Sequence, residues 1–501
     1  MKRFFIAILL ILKTFAVAFA QDNYTTTIPV EAGEKWWGLT ADHTLSEPFS
    51  EPFEWNTEGG KPYEFRMDAL ISSAGRYVWS KGPMHISFDG KAFTIASTTE
   101  KVEVRKGGRS LREAYLVYRH THAAPSGVKP NESLYTNIIY DAAGEVGALH
   151  TAESVVAYAE KLLAEGLPAG IMLIPDGWQS HSSELVFDAE SYPAPADMVA
   201  QLHRLGFKVM LSVSPYIPAV GREFVRNRDA GALLLDEKGD IVLFNTEAGF
   251  MACRVPDMDT ALRYSGEMRS LMNSYGIDGF RVDATLLEGR LSGEALDNFY
   301  SAWATVGADI PMMLYAPASA LVADKAALVA DDGTIDGAIR QALRIGQMGY
   351  PFVSPMLDKA YAEGEELWRR AISSVALPVA TVVAPPWKFS SSRGEELKKV
   401  IRWRAEQSEF MSGLLNEASN TAEAMMRTME YMFPKDGFGD CYDHYMLGDK
   451  WLIAPPVDGE KERAVRLPRG VWEDMRGKRY RGPRVVNVDV SRGELPIFEL
   501  Q

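Results

Sequence analysis

Gly276-Ile277-Asp278-Gly279-Phe280-Arg281-Val282-Asp283 is the stretch on which the reading of this chain turns. Its apolar residues and bounding glycines mark a short buried strand, and the strand closes on a carboxylate. Working outward, strand-like and helix-like segments alternate on both sides. Residues 136–141 open the series. A helix capped at Thr151 then carries Val155, Val156, Leu162 and Leu163 on one face and stops at Gly166 and Pro168. Further strands are expected over 170–176, 208–215, 276–283, 312–315, 327–332, 350–354 and 380–384. Helical segments fall near 198–206, 258–275, 292–306, 335–348 and 363–374. Eight such units predict an α/β fold, a parallel (β/α)8 TIM barrel. An open doubly wound sheet rarely reaches this count. In a barrel the chemistry collects at the C-terminal strand ends, so Asp283 is a candidate catalytic group. Asp278 lies at the opposite, stability end and reads as structural.

The flanks have a different texture. Residues 21–130 hold short alternating runs such as Met84-His85-Ile86-Ser87-Phe88 and predict a small N-terminal β-sandwich. The barrel is assigned to 131–395, a helical connection to 396–439 and a small C-terminal β-domain to 440–501. Residues 1–20 read as a signal peptide: Lys2 and Arg3, an apolar run, then Ala18-Phe19-Ala20 before Gln21. The expectation is export to the periplasm or the extracellular space, with no membrane insertion after cleavage. The formal charge is -14, and loss of Lys2, Arg3 and Lys13 with the leader makes it more negative. That balance argues against nucleic acid as a partner. Two cysteines, Cys253 and Cys441, exclude a disulfide scaffold, although a single pair between them is compatible with an oxidising compartment.

Carboxylates gather at strand ends. Asp176 ends the second strand, Asp283 the fourth, and Asp331 and Asp332 the sixth. Hydrolysis of a glycosidic bond needs two carboxyl groups flanking the anomeric carbon, about 5 Å apart when one is a nucleophile. Strands four and six, two positions apart, can face such groups across a sugar-sized pocket. Asp331 and Asp332 are also placed to cap the helix that begins near Ile335. No rival chemistry is written as clearly: there is no Gly-rich phosphate loop and no Gly-x-Ser-x-Gly elbow. The eight histidines show no metal-site spacing. His120 and His122 read as surface or packing residues, and His181, just past strand two, is weighed between packing and the pocket wall. No metal and no cofactor are expected.

Five segments then resemble glycoside hydrolase family 31, the retaining α-glycosidases. They are Asp176-Gly177-Trp178 with Leu202-His203-Arg204-Leu205-Gly206-Phe207-Lys208; the strand 276–283; Ala330-Asp331-Asp332 with Gly349-Tyr350-Pro351-Phe352; Glu366-Leu367-Trp368-Arg369-Arg370; and the run from Met426 through Leu452-Ile453-Ala454-Pro455-Pro456-Val457 to Trp472. The resemblance implies a carbohydrate substrate, an α-linkage, and Asp283 as the nucleophile. It implies Asp331 as the acid/base, with Asp332 as the alternative. Asp176, Trp178, Arg281 and Trp387 become substrate-binding candidates. The sequence departs from the family pattern at Ala284-Thr285-Leu286, Tyr315-Ala316-Pro317, Ser354-Pro355-Met356-Leu357-Asp358 and Ala384-Pro385-Pro386-Trp387. These departures motivate a second reading, a catalytically silent glycan-binding protein on the same fold.

Overall fold

The computed structural model describes residues 24–501 apart from 42–44, 46, 60–64, 148, 181–184, 237, 247–248, 256–257, 284–309, 316–326, 331–333, 358–361 and 457–459. The chain divides into two compact units, Met1–Gly60 with Arg66–Tyr118, and Lys61–Phe65 with Arg119–Gln501.

The first unit is built on two four-stranded antiparallel sheets. One runs, in spatial order, Tyr24–Pro29, Ala92–Ser97, His85–Phe88, Phe53–Asn56; the other runs Trp36–Thr40, Arg66–Ser72, Arg76–Trp79, Glu103–Lys106. Alternation fixes which residues turn inward. Phe93 and Ile95 bury while Thr94 between them is exposed. They join Trp36, Leu39, Leu70, Val78, Ile86 and Phe88 in one apolar cluster. The expected sandwich texture ends earlier than residue 130, because Leu111–His122 forms a helix. Its buried residues Leu111, Ala114, Tyr115 and Tyr118 recur at the spacing of a helix, not of a strand.

The second unit carries the barrel. Its eight strands are Ile139–Asp141, Ile171–Ile174, Lys208–Val213, Gly279–Asp283, Met312–Tyr315, Ala327–Ala330, Ser354–Pro355 and Thr381–Val382. Neighbours in sequence pair in parallel from the first to the seventh, and the eighth pairs with the first. The remaining seam, between strands seven and eight, is spanned by the Val379 amide donating to Ser354 Oγ at 3.0 Å. The second strand is apolar throughout: Ile171, Met172, Leu173 and Ile174 are all buried. Such continuous runs belong to strands covered on both faces. Three of the described crossover helices show a local signal at one end. Thr151 caps Ala152–Ala164 in a reciprocal capping box with Ser154. Thr334 caps Ile335–Gln347. The helix Met258–Tyr275 stops at Gly276, whose φ of +79° suits glycine.

Two features depart from the expected plan. Between the third strand and its helix the chain makes an excursion: Tyr216–Pro218, Leu243–Thr246 and Gly249–Cys253 form a three-stranded antiparallel sheet beside the helix Arg222–Asp229. A small core of Ile217, Leu233 and Ala252 holds this excursion together. At the C-terminal end, the helices Ser391–Glu406 and Ser408–Thr421 lead into a six-stranded sheet. That sheet begins at Met426–Arg427, ahead of residue 440. Its long hairpin Glu462–Asp474 with Arg479–Asp489 covers a core of Met446, Leu452, Leu467, Trp472 and Phe498. Cys253 and Cys441 are both buried and both free, so the pair between them is not formed.

Candidate active site at the C-terminal strand ends

The barrel lines up its strand ends as the sequence requires, and Asp283 terminates the fourth. Its backbone pairs with Tyr315 on strand five. Asp331, Asp332 and His181 lie outside the described residues.

Inside the barrel a cation and a carboxylate meet. Arg281 Nη1 donates to Asp141 Oδ2 at 2.6 Å, and Nε and Nη2 each lie 3.3 Å from Ser212 Oγ. Both charged side chains are under a tenth exposed. The other oxygen, Asp141 Oδ1, accepts from the Ala143 amide at 3.0 Å. Buried charge is tolerable only when it is paired and hydrogen-bonded, and this pair is both. Strands one, three and four are thereby cross-linked just below their ends. Arg281 therefore spends its donors on the protein, organising the floor of the site. It also walls a small pocket with Met313, Ser354, Thr381 and Val383. Asp141 and Ser212 were not singled out from the sequence. The signal for Asp141 was available, since it ends strand one as Asp176 ends strand two.

The turn after strand two separates two expected binding residues. Asp176 is exposed at the turn. Its carbonyl accepts from His150 Nε2 at 3.0 Å, and His150 Nδ1 meets the Tyr192 hydroxyl. Trp178 has no exposed surface, and its indole nitrogen donates to the Ser212 carbonyl at 2.7 Å. It packs on Phe187, which packs in turn on Tyr192 and Tyr275. This corrects its reading as a sugar platform: Trp178 is core, and with His150 and Tyr192 it braces the loop that carries Asp176.

Trp387 is half-buried in the short 3-10 turn Pro386–Lys388. Its nitrogen donates to Glu145 Oε2 at 2.9 Å, Lys161 Nζ sits 4.1 Å from the ring centroid, and Tyr158 meets it edge-on. These contacts tie the loop after strand eight to the first helices, a packing role. At the far end of the barrel Asp278 Oδ2 accepts from the Val209 amide at 2.8 Å and from His203 Nε2 at 2.9 Å. The first bond ties strand four to strand three and the second ties it to the helix Pro195–Arg204, in agreement with a structural role.

Comparison with known proteins gives the same frame. Residues 143–305 match the glycosyl hydrolases family 31 TIM-barrel domain, and residues 422–499 match the glycosyl hydrolase family 31 C-terminal domain. The alpha-xylosidase XylQ of Lactiplantibacillus pentosus is 24% identical over 89% of this chain and 64% of its own length. The myogenesis-regulating glycosidase of Mus musculus is 21% identical over 73% of this chain and 56% of its own. The chain thus spans less than two thirds of the length of either relative. Among solved structures, a GH31 alpha-xylosidase from a soil metagenome, complexed with xylose, superposes with a TM-score of 0.71 at 17% identity, covering 96% of this chain and 79% of that one. A GH31 family sulfoquinovosidase from E. rectale gives 0.69 at 15% identity, covering 96% and 83%. At these identities the structural likeness speaks for the fold.

Proposed function

Since the chain belongs to glycosyl hydrolase family 31 as a divergent member, we propose that it is an exported retaining α-glycosidase acting on terminal α-linked sugars. The observation that carries the proposal is the fourth barrel strand, Gly279–Asp283, which ends in a carboxylate at the face where barrels do chemistry. Two residues before it, Arg281 lies in the barrel interior.

In this reading Asp283 attacks the anomeric carbon. The glycosidic C–O bond breaks, and Asp331, or Asp332 in its place, gives its proton to the departing oxygen. A covalent glycosyl-enzyme results. The same acid/base group then takes a proton from water, whose oxygen displaces Asp283 and restores both carboxyls. The acid form must persist near neutral pH, which a neighbouring carboxylate favours by disfavouring a second charge. Asp176, exposed on its braced turn, is the remaining described candidate for a sugar hydroxyl. The names of the alpha-xylosidases among the relatives make α-xylosides the first substrates to try.

The test is hydrolysis of a panel of aryl α- and β-glycosides by the chain from Gln21 onward, beside Asp283→Ala. Turnover of an α-glycoside that vanishes in the variant is the expected result. Normal cleavage by Asp283→Ala removes Asp283 from the mechanism. Sugar binding with no turnover anywhere in the panel favours the silent glycan-binding protein.

A further inference from the structure

Among the described residues, one group of three metal-type donors comes together, and it lies far along the chain from the strand ends that carry the proposed chemistry. Cys441, Asp443 and His444 sit in the segment leading into the strand Tyr445–Leu447 of the C-terminal sheet, with one ligand atom from each within 4.8 Å of the others. Cys441 and His444 are 3% and 1% exposed, while the Asp443 side chain is 44% exposed and opens the cluster to solvent.

One oxygen is the meeting point. Asp443 Oδ1 is 3.3 Å from Cys441 Sγ and 2.8 Å from His444 Nδ1, and Sγ to Nδ1 is 3.6 Å. A tetrahedral zinc ion with bonds of about 2.3 Å to sulfur and about 2.0–2.1 Å to nitrogen and oxygen holds its ligand atoms about 3.3–3.6 Å apart. The donor triangle is therefore close to the size a zinc ion requires. Sγ is nearly equidistant from the two ring nitrogens, 3.6 and 3.4 Å, so it faces the ring.

The surroundings resemble the outer shell of a metal site. Arg463 Nη2 lies 3.3 Å from Asp443 Oδ2 and also donates to the Asp443 carbonyl, which leaves Oδ1 for the centre of the cluster. A second guanidinium, Arg466, lies near the Cys441 sulfur. Neither guanidinium makes the cluster net positive, because Glu460 answers Arg463 at 3.2 Å and Asp440 lies 3.9 Å from Arg466.

We propose that Cys441, Asp443 and His444 bind one zinc ion that clamps the segment leading into the strand Tyr445–Leu447, with water as the fourth ligand entering past Asp443. Binding releases the thiol proton to solvent. This site is independent of the glycosidase reading.

The experiment uses the full chain, stripped with EDTA, reloaded with zinc(II) and freed of excess metal by gel filtration. Elemental analysis should find one zinc per chain. Replacement of zinc by cobalt(II) should give a thiolate-to-cobalt charge-transfer band in the near ultraviolet. His444→Gln and Asp443→Asn should each weaken zinc binding at least tenfold while the far-ultraviolet circular dichroism stays that of the parent. The proposal is overturned if the parent retains less than a tenth of an equivalent, or if its cobalt form lacks the thiolate band. It is also overturned if both variants, folded, retain zinc as the parent does. If a variant does not fold, the cobalt spectrum of the parent decides by itself.

Discussion

Arg281 and Trp178 both approach Ser212, one from strand four and one from the turn after strand two, and each supports a distinct expectation. Arg281→Met leaves the Asp141 carboxylate buried without its partner. Breaking one side of such a pair costs about 3–5 kcal/mol. Adding Asp141→Asn removes the stranded charge, so the double variant should lose less than the two single losses combined, as urea unfolding midpoints will register. Trp178→Phe removes the donor to the Ser212 carbonyl, 2.7 Å away. The orphaned buried carbonyl should cost about 1–3 kcal/mol, while KM for an aryl α-glycoside stays put. A raised KM at unchanged stability would return Trp178 to the substrate. Residues of this kind are hard to read from sequence. Asp141 and Arg281 are 140 positions apart, and only the closed barrel reveals that they are opposite charges in one interior. An aromatic beside a strand-end aspartate reads equally well as platform or as core until its exposure is known.

Among the elements, the barrel strands were legible because most are short apolar runs punctuated by glycine or proline, and seven appear where the runs are; the seventh, expected over 350–354, forms only at Ser354–Pro355, after a turn. The excursion after strand three was not legible. Its strands are brief and largely half-exposed, as in Leu243–Thr246 and Gly249–Cys253, so they carry neither a buried run nor a clean alternation. The helix Leu111–His122 did carry its signal, in the spacing of its buried residues, but the surrounding β texture masked it. Strand packing yields a prediction of its own. A methyl group at Gly170 would stand 2.2 Å from the Ile138 carbonyl oxygen, where strands one and two begin to pair. Gly170→Ala should therefore cost about 1–3 kcal/mol through forced backbone shifts, seen as a lowered thermal midpoint. An unchanged midpoint would mean that the first two strands separate freely.

For the molecule as a whole, stability should form a plateau in pH with two different edges. At the acid edge stand Glu34 and Asp443. Burial opposes their charge, but Arg76 and the Glu31 amide outweigh it at Glu34, as do His444 and Arg463 at Asp443. Both titrate below their unfolded values of about 4. Their contribution is present above that pH and is lost as pH falls through the lower folded values. At the alkaline edge burial pushes Cys253, Tyr135 and Tyr140 up. The unfolded chain ionises these groups first, from about 8.5 for cysteine and about 10 for tyrosine, so stability falls as pH rises beyond. Thermal midpoints should be level from about pH 5 to 8 and drop on both sides; a midpoint that climbs below pH 4 contradicts the acid half. The seam between strands seven and eight has a different consequence. A cylinder fastened around most of its girth by backbone ladders, but here by a serine hydroxyl on the Val379 amide, is a belt with a buckle. The belt loosens first at its buckle. In deuterated solvent the Val379 amide should surrender its hydrogen before Leu173 does, and Ser354→Ala should widen that lead while the ladders elsewhere hold.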